Sequence, residues 1–219
     1  MGIILAACGN DCSACSRYTV HPYEKPEFEK EMNLLTEQAI TWITGLFRDN
    51  AGGHDVDHTL RVYRNAMLIA ESEPGCDRLI VSLAALLHDA DDHKLFHTEN
   101  NENARRFLEG RLSALQIERI CACINTVSFS RNRGKVPDTL EGKIVQDADR
   151  LDAMGAIGIA RTFAYGGEHG RSLADSVQHF HDKLLLLRDM MNTEYAKQLA
   201  AKRHTYLESF LKELDEETR

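Results

Sequence analysis

The apolar run Leu79 to Leu87 (LIVSLAALL) ends directly in His88-Asp89, and a second acidic pair, Asp91-Asp92, follows at once. An imidazole and a carboxylate at the end of a buried helix are costly to desolvate. They can be neutral or paired structural groups, but a divalent cation held by both offsets the cost more effectively. Upstream, GGHDVDHTLRV places Asp55 to cap a helix on which His58 and Arg61, three residues apart, share a face. Downstream, KIVQDADRLDAMGAIGIAR interrupts an apolar pattern of Ile144, Val145, Ala148, Leu151 and Met154 with carboxylates at 147, 149 and 152. At about 100° per residue Asp147 and Asp149 diverge by about 200°, so one of them, and not both, can face a shared ion. Asp149 and Asp152 lie on roughly one face. Asp147 is then available to orient a histidine ligand or to accept an N–H.

His58, then His88-Asp89, then Asp149 resembles the H…HD…D signature of the HD superfamily of metal-dependent phosphohydrolases. The words GGHDVDHTLRV, ALLHDADDHK and KIVQDADRLDAMGAIGIAR are similar to those of a bacterial subgroup of small HD hydrolases acting on nucleotides, over roughly Glu27 to Leu214. The resemblance implies an HD-domain helical bundle with a metal held by His58, His88, Asp89 and Asp149. It implies hydrolysis of a phosphate ester or anhydride bond in a small phosphorylated substrate, a nucleotide. It selects Asp149 over Asp147, because the last ligand of that superfamily is the aspartate of an Ala-Asp pair, matched by Ala148-Asp149. It also gives Asp92, the acidic residue three after Asp89, a general acid/base role.

A mixed histidine and carboxylate shell suits one divalent transition metal: manganese first, then iron, nickel, cobalt or zinc, with magnesium a poorer match to two histidines. Lys94, Arg61 and Arg150 are the basic residues nearest in sequence to the ligand motifs. Lys94 is expected to offset charge on the phosphoryl group during catalysis, and all three to bind substrate, although Arg150 could instead pair with a neighbouring aspartate. Two further readings share the signature: a phosphodiesterase acting on a cyclic or oligonucleotide substrate, and a non-catalytic sensor of metal or nucleotide.

The elements that position these residues are helical. Apolar positions from Glu27 to Phe47 recur at helical spacing, and Gly52-Gly53 breaks the pattern. Further helices are expected at about 56–72, 77–90, 99–109, 113–126, 138–152, 154–164, 173–190 and 193–214, with fraying from Glu213 to Arg219. The four prolines fall outside these periods and no period-2 stretch appears, so the fold class is all-α. No glycine-rich phosphate loop is present. Phe129, Phe163 and Tyr165 are the candidates for stacking a base, with core packing as the plainer alternative.

The 219 residues, 43% of them apolar, suffice for one helical domain with an appendage. A formal charge of -8 argues against long nucleic acid as a partner and leaves room for a local cationic pocket. No apolar run approaches the roughly 18 residues of a membrane helix. The opening MGIILAAC lacks the basic residues and apolar length of a signal, so a cytoplasmic protein is expected. Cys76, Cys121 and Cys123 fall within expected helices as ordinary buried thiols. Residues 1–25 form a separate Cys-rich segment before an HD domain at 26–219. There, Cys8, Cys12 and Cys15 have the spacing of a radical SAM cluster, yet no α/β barrel follows. The segment resembles the opening of an uncharacterised cysteine-rich bacterial family, which carries no function over. Its thiols could hold zinc with His21, be redox-active, or be a remnant.

Overall fold

The computed structural model describes residues 25–48, 56–93 and 95–219. Among them are α1 (Lys25–Leu46), α2 (Val56–Ser72), α3 (Arg78–Leu87), α4 (Glu102–Leu108), α5 (Ala114–Asn125), α6 (Leu140–Asp152), α7 (Gly155–Glu168), α8 (Leu173–Asp182), a 3₁₀ helix (Leu184–Met190) and α9 (Glu194–Thr218). No strand occurs among the described residues, and none of their helices is long and apolar enough to cross a membrane. The cysteine-rich segment and the Asp55 cap lie outside them.

The centre is α3, buried on every side from Leu79 to Leu87. A helix apolar all round has no solvent face to keep, and α1, α2, α5 and α6 enclose it. Its one interior hydroxyl, Ser82, is satisfied by Thr36 of α1 at 3.1 Å. The Asp77 side chain caps the helix by accepting the Ile80 N–H, and the helix delivers His88 and Asp89 at its far end. The buried stripe of α2, His58, Val62, Ala66 and Ile69, has the three- and four-residue spacing that lays it between α3 and α6. Thr139 caps α6, and the buried face of α6 carries Gln146, Asp147, Arg150 and Asp152 as well as apolar side chains.

The turn from α6 to α7 is tight. Gly155 adopts φ +68°, and a Cβ on Gly158 would stand 2.3 Å from the Ala153 carbonyl oxygen, so glycine lets α7 fold straight back beside the end of α6. This return brings Arg161 to Asp152.

Several placements differ from expectation. The stretch 173–190 is not one helix: α8 stops at Lys183, and Leu184 and Leu187 bury themselves at the three-residue period of a 3₁₀ helix. At the other end α9 continues to Thr218 rather than fraying, its last turns laced by Lys212–Glu216 and Arg219–Asp215 pairs one helical turn apart. Cys76 lies in the loop before α3 and is only partly buried. Cys121 and Cys123 are buried, and burial pushes the Cys123 thiol up to about 11, which suits a packing role.

Candidate metal centre

Three helices meet at the end of α3. His58 comes from the first turn of α2, His88 and Asp89 from the end of α3, and Asp149 from the last turn of α6. The Asp89 Oδ2 lies 3.4 Å from His58 Nε2 and 3.3 Å from His88 Nε2. The Asp149 Oδ1 lies 3.5 Å and 3.9 Å from the same two nitrogens. Both imidazoles are buried, whereas the carboxylates keep partial access to solvent.

The orientation of each ring is fixed from behind. His88 Nδ1 donates to the Ala85 carbonyl at 2.8 Å, and His58 Nδ1 donates to Asp152 Oδ2 at 2.8 Å. Each ring therefore presents the Nε2 lone pair inward, and the two nitrogens face each other at 3.3 Å. Two lone pairs at that distance repel unless a positive charge lies between them. Burial acts to lower the pKa of His88, but Asp89 and Asp149 outweigh it and push the value up to about 9. Burial likewise opposes protonation of His58, and hydrogen bonds to Asp152 and Asp89 raise its pKa nonetheless. Converging nitrogen and oxygen donors in a field that draws positive charge fit a divalent cation.

Asp152 is the residue behind that arrangement. Its Oδ1 accepts Arg61 Nε at 2.7 Å, and its Oδ2 accepts His58 Nδ1, Arg61 Nη2 at 3.2 Å and Arg161 Nη1 at 2.6 Å. Arg161 also lies 3.0 Å from His58 Nδ1; both are donors, brought together because they share one carboxylate oxygen. Burial would raise the Asp152 pKa, but hydrogen bonds from His58 and Arg61 and the charges of His58 and Arg161 hold it well below the usual carboxylate range. The sequence placed Asp152 on the Asp149 face without a partner. Nothing in it singled out Arg161 beyond a cation in an apolar helix.

The other expected residues are placed as follows. Asp147 is fully buried and turned away from the cluster. It accepts the backbone N–H groups of Asn192 and Thr193, the Asn192 amide and the Thr193 hydroxyl at 2.8–3.0 Å, capping α9 from across the fold. Asp152, not Asp147, orients the histidine. Asp91 accepts the N–H groups of Asn103 and Ala104 and so caps α4.

Arg150, which the sequence leaves between substrate contact and a pair with a neighbouring aspartate, faces away from the cluster. It is 3% exposed and donates to the Met190 carbonyl, because its position on α6 faces the 3₁₀ helix rather than the cluster. Arg61 is correspondingly engaged with Asp152. Asp92 sits in the turn after Asp89, its side chain one-sixth exposed, and Lys94 lies outside the described residues. Phe163 packs on Phe180 and Phe210, Tyr165 stacks on His169, and Phe129 lies near Arg133 and Lys183.

Comparison with known proteins bears on the same residues. The HD domain family matches residues 55–154, the span that holds all four cluster side chains. The protein YpgQ of Bacillus subtilis is 42% identical over 194 residues, covering 83% of this chain and 92% of YpgQ. The chain belongs to the HD family. Among solved structures, that of B. subtilis YpgQ in complex with ADP superposes with a TM-score of 0.75 at 35% identity, covering 85% of this chain and 96% of that one. An HD-superfamily hydrolase from Bacillus thuringiensis gives a TM-score of 0.71 at 39% identity, covering 85% and 97%. This HD chain therefore has the all-α fold of HD-superfamily hydrolases.

Proposed function

We propose that this protein is a metal-dependent phosphohydrolase that cleaves a phosphate ester or anhydride bond of a small phosphorylated substrate, a nucleotide. The observation that carries the reading is the cluster itself: His58, His88, Asp89 and Asp149 converge with both rings locked to offer Nε2. The ADP held by the YpgQ relative supports a nucleotide ligand. Two imidazoles with two carboxylates suit manganese best among the divalent ions, and these four side chains would hold it. A bound divalent ion supplies acidification of water at neutral pH and offsets charge on a phosphoryl oxygen. The chain supplies the rest. Asp152 and the Ala85 carbonyl keep the two imidazoles in one tautomer, and Asp92 is the group we assign to take a proton from the attacking water.

The reaction class is tested by phosphate and pyrophosphate release from a panel of nucleoside mono-, di- and triphosphates, with manganese, nickel or magnesium added to metal-stripped protein. Release dependent on the added ion is expected, with manganese among the active ones; silence across the panel from protein that binds the ion would sink the proposal. For Asp92→Asn, turnover is expected to fall by about 10²–10⁴ with bound metal unchanged, the usual scale for a positioned acid or base. Wild-type turnover would remove Asp92 from this role.

A further inference from the structure

A second concave site lies behind His58. A cleft of about 300 Å³ opens between α2, the start of α7 and α9, and three arginines line it: Arg61, Arg64 and Arg203. None of His58, His88, Asp89 or Asp149 lines it. It borders the metal cluster only through Asp152, which binds the Nδ1 edge of the His58 ring, opposite the Nε2 that faces Asp89 and Asp149.

The charge in this cleft is concentrated against the trend of the chain. The whole protein carries a formal charge of -8, yet Asp152 is the one acidic side chain among the described lining residues, and its two oxygens are already occupied by His58, Arg61 and Arg161. Arg203 donates to the Leu151 carbonyl and reaches Asn65 at 3.4 Å, which fixes its position at the wall. Arg64 is exposed, and no described carboxylate pairs with it. Met154, Gly155, Ala156 and Ile157, where α7 begins, complete the same wall.

We propose that this cleft is a binding site for a small inorganic phosphate anion, orthophosphate or pyrophosphate, distinct from the metal centre. Guanidinium forks match the oxygens of such an anion. The volume admits a pyrophosphate, whereas no aromatic ring among the described lining residues offers a face for a base, so a free anion is favoured over a nucleotide. The site does not depend on what the metal centre hydrolyses. Its placement makes Arg61 common to both: one edge of the guanidinium holds Asp152 and thereby His58, and the same side chain borders the anion.

The test is calorimetric titration of inorganic pyrophosphate into the full-length chain carrying Asp149→Ala, which takes an arm from the metal cluster and leaves the cleft intact. Scoring binding in that background separates the result from any failure of the hydrolase reading. Saturable binding with a Kd below about a millimolar is expected, weakened about tenfold or more when Arg64→Glu is added. Arg64 is exposed, so that substitution leaves the fold in place. Arg106→Glu, the same charge reversal on α4, is the control and is expected to leave binding unchanged. Absence of saturable binding, binding indifferent to Arg64→Glu, or equal weakening by both reversals overturns the proposal.

Discussion

Asp149→Ala is expected to empty the metal centre and lower turnover about a thousandfold, a loss of several kcal/mol of charge stabilisation, while the protein melts as before. Asp147→Ala, two residues away, is expected to do the opposite. The Asp149 carboxylate is partly open to solvent and faces two imidazoles, so deleting it removes a proposed ligand and leaves no buried donor orphaned. Asp147 is fully buried and receives the N–H groups of Asn192 and Thr193, the Asn192 amide and the Thr193 hydroxyl. Truncating it strands those donors at the start of α9, at about 1–2 kcal/mol for a lost cap and more for each buried group left unpaired, roughly 3–5 kcal/mol in all. Metal analysis of the purified variants together with denaturant melts checks both halves. If the folded Asp147→Ala protein lost its metal and Asp149→Ala kept it, the ligand assignment would be reversed.

That pair of aspartates also marks where the sequence stops being readable. Helical geometry alone says that 147 and 149 point apart, and family resemblance favours 149. The destination of Asp147 is the start of a helix 45 residues later, and no local pattern encodes that meeting. The apolar character of α3 and the stripe of α2 were legible because burial imposes a period on neighbouring residues. The break at Lys183 was not, since a leucine run fits an α-helix and a 3₁₀ helix equally, and only the packing of Leu184 and Leu187 decides. Arg150 illustrates the limit in another way. Nearness in sequence to a ligand suggested substrate contact, yet one step along a helix turns a side chain by about 100°, enough to send this one into the protein.

Asp152→Asn is the second substitution with a large expected effect, and it acts through His58 rather than on the metal cluster directly. Asparagine keeps the size of the side chain but brings an amide N–H where His58, Arg61 and Arg161 all need an acceptor. Without the anchor on Nδ1, the ring is free to rotate or to exchange tautomers, and the Nε2 lone pair is no longer fixed toward Asp89 and Asp149. Loss of such a partner typically lowers metal affinity by about 10–100-fold, and that is the expected result of metal titration into the variant. Stability falls as well, by about 2–3 kcal/mol, because two guanidinium groups lose their anion, tempered by the solvent that reaches both. The pH dependence identifies the cause. The Asp152 pKa is held below its ordinary 3.8, so its contribution is present above that value and lost as the pH falls through the lower folded-state value. The wild-type protein therefore loses this increment in acid, and Asp152→Asn removes it at every pH, so the two stability curves converge at the acid end. Metal affinity equal to wild type in Asp152→Asn would show that His58 needs no anchor, and the contact would then be structural only.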